Sequence, residues 1–158
     1  MALYTLLIDS REQNPYNFRG EVTEVTCIKT GDYSIKVMDK SLQDEIAIER
    51  KSLNDFVGSI TSGRERFEKE IIRAKELKYF AIVIEADWDD IENHRYESKM
   101  PVNSVIGTIM GWSVKYNIPI FLGGKRSRCE DLIRRLLLSY IKYLDKDSKK
   151  SKTSIQII

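Results

Sequence analysis

The sequence predicts an α/β fold in which a mixed β-sheet is flanked by α-helices. Short β-branched runs fill the first third of the chain, and amphipathic helical patterns follow them. Strand and helix patterns then alternate to about residue 144, the order expected when helices cover a sheet. Hydrophobic residues make up 42% of the 158 residues, enough to fill the core of one ordinary domain.

Each element has its own signal. Residues 4–8 read as a buried strand ending at Asp9. Residues 10–20 contain Asn14-Pro15 and Gly20 and read as a loop. Residues 22–28 interleave β-branched and polar side chains, as a half-exposed strand does. Gly31-Asp32 marks a turn, and residues 33–37 and 45–51 form a hairpin across the polar stretch 39–44. Ser52 is placed to cap a helix carrying Phe56, Val57 and Ile60, and Thr61-Ser62-Gly63 interrupts it. Residues 64–77 place Phe67, Ile71, Ala74 and Leu77 on one helical stripe. The apolar run 80–85 reads as a central strand, and the polar stretch 89–99 as a loop. Residues 101–116 are helical with Pro101 in the first turn, and 118–122 form a strand. Ser127 and Glu130 have the spacing of a capping box for a last helix, to about residue 144. Residues 1–145 thus form one domain, with 146–158 as a charged, flexible tail that ends in the apolar stretch 155–158.

Composition excludes several functions. The net charge of +2 carries no global nucleic-acid signature, so any DNA contact must come from local basic clusters. Cys27 and Cys129 lack zinc-ligand spacing, and without a secretion-type leader they are expected to be reduced, in an intracellular setting. No apolar run approaches the roughly 20 residues of a membrane span. His94 is the only histidine and lies in a polar stretch, which argues against Ser-His-Asp chemistry. Gly123-Gly124-Lys125 lacks P-loop spacing and reads as a turn. Trp88 and Trp112 read as packing residues.

The informative block runs from Gly31 to Asp55. Strand alternation puts Glu49 and Lys51 on one face and Ile48 and Arg50 on the other. If the hairpin is centred on Lys40-Ser41, Asp32 falls opposite Glu49, with Cα atoms roughly 4.5–5.5 Å apart. Two carboxylates so close repel unless a cation lies between them, and hard divalent ions such as Mg²⁺ favour oxygen donors. A Lys51 ammonium beside them can hold an attacking water or neutralise charge on a phosphoryl group. Asp9 and Asp55 can reach the same cavity, from the end of the first strand and from the first helix. The densest basic cluster is Lys125, Arg126 and Arg128 with Arg134 and Arg135; it suits a phosphate backbone and a solvated helix face equally well.

Glu49-Arg50-Lys51-Ser52-Leu53-Asn54-Asp55 matches E-R-K-x-x-x-D and so resembles the signature of the XPF-type nuclease family. Ile8-Asp9-Ser10-Arg11-Glu12, Gly31-Asp32-Tyr33, the Ser59–Arg64 stretch with Gly63-Arg64, and Ile84-Glu85-Ala86-Asp87 resemble the family's other motifs in the right order, over about residues 4–140. The resemblance implies a restriction-endonuclease-like fold and a DNA endonuclease dependent on Mg²⁺ or Mn²⁺. Such an enzyme would cut branched, flapped or single-strand-containing DNA in repair, recombination or replication. It implies metal ligation by Asp32 and Glu49 with Asp9 in support, catalysis by Lys51 with Asp55, and DNA or structural roles for Arg11, Arg50 and Arg64. Lys125 and Arg126 are candidate DNA contacts from the basic cluster. Glu68 stands where relatives often have Gln. The last helix carries more apolar residues than one stripe needs, which suits either a core position or a homodimer. A non-catalytic DNA-binding or scaffolding subunit and a four-way junction resolvase remain alternatives.

Overall fold

The computed structural model describes residues 3–145; the expectations for the tail 146–158 lie outside the described residues. Strands β1 (Tyr4–Asp9), β2 (Thr23–Thr26), β3 (Tyr33–Val37), β4 (Lys40–Ser41) and β5 (Ile46–Ser52) come first. They are followed by α1 (Leu53–Ile60), α2 (Arg64–Ala74), β6 (Tyr79–Glu85), α3 (Trp88–Glu92), α4 (Val102–Lys115), β7 (Ile120–Leu122) and α5 (Arg126–Tyr140), which runs into a π-helical turn, Ile141–Asp145. The strands form one mixed sheet in the order β2-β1-β3-β5-β6-β7, with β4 paired to β3. The β5-β6-β7 half is parallel, and β3 is antiparallel to both β1 and β5.

Strand alternation sorts the core into two layers. Ala47, Ile82 and Ile84 face the layer of Phe56, Phe67, Ile71, Ile109 and Trp112 from α1, α2 and α4. Ile46, Ile48, Ala81 and Val83 face Ile133, Leu137 and Tyr140 of α5. That second layer is closed by Tyr16, Phe18 and Tyr33, whose rings meet at 5.4–5.9 Å between centroids. Leu136 and Leu138 pack against the same layer, so the apolar excess of α5 is largely used within the chain. Cys27 and Cys129 are both free thiols. Among the described residues no helix is long and apolar enough to cross a membrane.

Four local expectations are corrected. The hairpin is not centred on Lys40-Ser41: the chain turns earlier, Val37 pairs with Lys40, and Met38 adopts φ +53°. Leu42 is then drawn into the core, so residues 42–45 form a detour before β5. Despite that detour Tyr33 pairs with Ile48, which sets Asp32 opposite Glu49 as anticipated. The capping box of the last helix does not form: Lys125 is the N-cap without a side-chain bond, and Glu130 instead accepts the Phe18 amide at 2.5 Å. The stretch read as a loop contains α3, nucleated by a capping box between Asp87 and Asp90. Trp88 is 39% exposed, so it is not the packing residue that Trp112 is.

Candidate active site

A cleft of about 720 Å³ opens where β1, β5 and β6 end and β3 begins, with α2 as one wall. Gly31 makes its floor possible. It adopts φ +86°, and a Cβ there would lie 2.8 Å from Ala47 Cβ. Glycine therefore avoids both a left-handed penalty and a clash, and lets the chain enter β3 close against β5.

Asp32 is fixed at this entry. Its amide donates to Ile48 O at 2.9 Å, and its Oδ2 accepts the Arg50 amide at 2.8 Å. Glu49 and Lys51 project to the α2 side of β5. Lys51 Nζ lies 3.5 Å from Glu49 Oε1 and 4.8 Å from the Phe67 ring centre. Burial pushes the Glu49 carboxyl up to about 8, and the nearby Asp32 charge adds to the shift. Burial also raises Asp32, to about 6, against the lowering effect of the Arg50 amide. Both acids are thus held where their charged forms are costly unless an added positive charge offsets them.

The expected set of three carboxylate ligands is not assembled. Asp9 is 4% exposed, and its side chain is committed to Arg11 Nε at 2.9 Å and the Ile28 amide at 2.9 Å. Among the described residues no group of three or more His, Cys, Asp or Glu side chains is placed to hold a metal ion. What remains is a pair of half-buried oxygen donors, Asp32 and Glu49. That donor set fits Mg²⁺ or Mn²⁺ chemistry, because Mg²⁺ commonly takes one or two protein carboxylates and leaves its other positions to water and phosphate oxygens.

The remaining expected residues divide. Asp55 lines the cleft from the first turn of α1, exposed, with its amide capped by Ser52 Oγ at 3.1 Å. Arg11 lines the cleft and also donates to Ile28 O at 2.6 Å. Of the other four, Arg50 takes the structural role expected as the alternative to a DNA contact, and Arg64, Lys125 and Arg126 do not line the cleft. Arg50 is on the opposite face of β5, 10% exposed, between Glu12 at 3.3 Å and Glu85 at 2.5 Å. Arg126 donates to the carbonyls of Asn14 and Pro15 at 2.8 and 2.9 Å and lies 4.5 Å over the Tyr16 ring. Arg64 donates to Thr108 Oγ1 at 3.3 Å and lies over Trp112, off the cleft. Lys125 is exposed at the start of α5 and does not line the cleft. Glu68 accepts from Tyr116 OH at 2.8 Å, so it serves the α2–α4 contact.

Sequence reasoning missed the support beneath the floor. Glu85 accepts from Tyr16 OH at 2.7 Å as well as from Arg50, so one carboxylate ties β6 and the 10–18 loop to β5. Since Arg50 also donates its amide to Asp32, this network sets the carboxylate's position. Glu12 and Glu85 lay inside recognised motifs, but only their meeting around Arg50 gives them a role. Lys29, Arg66, Glu70 and Arg73, which no motif singles out, also line the cleft.

A mixed sheet covered by helices, with an acid pair and a lysine at its strand ends, defines a restriction-endonuclease-like domain of the XPF type. The ERCC4 domain model matches residues 8–136, and the chain belongs to that family. It is 26% identical over 103 residues to the 3'-flap repair endonuclease Xpf of Saccharolobus solfataricus, covering 65% of this chain and 42% of that protein. The structure resembles XPF from Aeropyrum pernix with a TM-score of 0.66 at 19% identity, covering 84% of this chain and 59% of that one. It also resembles the same protein in complex with DNA, with a TM-score of 0.67 at 19% identity over 87% of this chain and 65% of that one. The chain therefore spans less than two thirds of each of these relatives.

Proposed function

We propose that this domain is a metal-dependent DNA endonuclease, with Asp32 and Glu49 holding Mg²⁺ or Mn²⁺ and Lys51 acting beside them. The observation that carries the reading is the half-buried Asp32–Glu49 pair with Lys51 Nζ at 3.5 Å from Glu49, at the end of one cleft. A divalent cation, when bound there, supplies Lewis-acid stabilisation of the phosphoryl group and activation of water. The chain's own residues do the rest. Arg50, held by Glu12 and Glu85, keeps Asp32 in place. Lys51 orients the attacking water or neutralises charge that develops on the phosphate. Asp55, exposed on the rim, supports the same cavity. Asp9 contributes by orienting Arg11.

Branched, flapped or single-strand-containing DNA is the substrate class of this reading, supported by the family and by the name of the flap-cleaving relative. The test is cleavage of labelled fork, flap and plain duplex DNA with Mg²⁺, Mn²⁺ or EDTA. Metal-dependent cutting of forks or flaps is expected; binding without cutting under every divalent ion would favour a scaffolding subunit. Symmetric paired cuts across a four-way junction would favour a resolvase.

Pairing with a second copy is part of the same reading. The apolar surface that supports it is on α4, an uncharged helix up to Lys115 whose outer face exposes Met110 at 49% and Val114 at 83%. Sedimentation equilibrium is expected to give a dimer that Val114→Glu weakens; a monomer at all concentrations would refute it.

A further inference from the structure

The charges of the cleft are layered by exposure. Its acidic floor is buried or half-buried, while Arg11, Lys29, Arg66 and Arg73 are exposed around its mouth. Of the acids lining the cleft, only Asp55 is fully exposed. Exposed arginines on a helix are ordinarily a solvated face, and α2 does hold such a pair: Lys69 bonds to Glu65 at 3.2 Å. The cleft side of α2 differs. Arg66 has only a loose contact with Glu70 at 3.9 Å, and among the described residues Arg73 has no ion pair. On the facing lip Lys29 likewise has no ion pair among the described residues, and its backbone is anchored by Gln43 Oε1 at 3.2 Å.

Arg66 and Arg73 are two helical turns apart, about 10.5 Å along α2. That is the axial rise of about three nucleotides on one strand. We propose that Arg66 and Arg73, with Lys29 opposite, form a phosphate-binding rim that lays a DNA strand across the Asp32–Glu49 floor. The proposal rests on the reading of this cleft as a DNA-cleaving site and names the residues that position the strand there. Exposed cations at the mouth, of which Lys29 and Arg73 carry no ion pair among the described residues, attract the polyanion, and the half-buried acids below admit only the one phosphate neutralised by a cation. Arg66 and Arg73 are therefore positioning residues.

The test is the salt dependence of binding to a labelled fork in EDTA, read by fluorescence anisotropy. Arg66→Ala/Arg73→Ala is compared with the charge-matched Lys40→Ala/Arg95→Ala, both of whose sites are exposed and off the cleft. The rim variant is expected to lower the slope of log K against log salt by about 1.4–1.8, two phosphate contacts' worth, at an unchanged melting temperature. The control is expected to keep the wild-type slope. In Mg²⁺ the rim variant is expected to raise KM with little change in kcat. Equal slopes for the two variants overturn the rim, as does a wild type that binds no DNA at low salt. A wild type that cuts DNA while the rim variant keeps the wild-type slope overturns the rim alone. One that binds through the rim but never cuts overturns the proposed function and leaves the rim standing.

Discussion

Glu49→Gln is expected to abolish cleavage and, in the same protein, to raise the melting temperature measured in EDTA. The two effects have one cause. Glu49 and Asp32 lie half-buried opposite each other, and both carboxyls are raised, mainly by loss of water. A carboxyl raised in the fold favours its protonated form there. Its contribution to stability is present in full below the ordinary carboxylate range and is lost as pH rises through the raised values of about 6 and about 8. Each unit of such a shift corresponds to ~1.4 kcal/mol against the charged form. The metal-free wild type is therefore expected to lose stability between about pH 5 and pH 8, and Glu49→Gln, lacking one buried charge, to lose less. Mg²⁺ or Mn²⁺ should raise the wild-type melting temperature and leave the variant nearly unmoved. Cleavage by the variant should fall by roughly 10³-fold or more, the upper end for losing one charge-stabilising group at a reacting centre. Melting curves with and without metal across this pH range check the first part, and fork cleavage checks the second. A variant destabilised in EDTA would mean that the acids serve the fold and not a cation.

Lys51→Ala is expected to separate catalysis from cation binding. The Lys51 side chain is 19% exposed, with its ammonium between Glu49 and the face of Phe67, and so cannot easily leave the site. Its removal should lower kcat by roughly 10²–10³-fold. Cation affinity should stay the same or rise slightly, because one positive charge beside the carboxylates has gone. Lys51→Arg should not restore the rate, since a planar guanidinium does not occupy the place of a compact ammonium. Single-turnover cleavage together with Mn²⁺ titration by calorimetry separates the two effects. Weakened metal binding with an unchanged saturating rate would make Lys51 a support for the ligands instead.

The parts of this site legible in the sequence were those that depend on local periodicity. Glu49 and Lys51 share a face because a strand alternates, and Gly31-Asp32 announces the turn that brings Asp32 alongside. The register holds although the chain turns earlier than Lys40-Ser41, because Tyr33 and Ile48 are both core residues and a one-residue slip would expose them. What was not legible depends on segments that meet only in the folded chain. Alternation puts Arg50 on the face opposite Glu49 and Lys51 but does not name its partners; Glu12 and Glu85 reach it from 38 and 35 positions away. Arg126 belonged to the densest basic run, yet its donors are used by loop carbonyls 111 and 112 residues earlier. Asp9 looked like a third ligand by its place at a strand end, and Arg11, two residues on, claims it. The α5 cap failed because Glu130 is drawn to the Phe18 amide across the fold.

The most direct measurement of the central claim is anomalous scattering from crystals of the wild-type protein grown with Mn²⁺. The account predicts one strong peak in contact with carboxylate oxygens of both Asp32 and Glu49, close to Lys51 and clear of Asp9. A peak seated on other residues, or none at this pair in crystals whose dissolved protein cuts forked DNA, would contradict it.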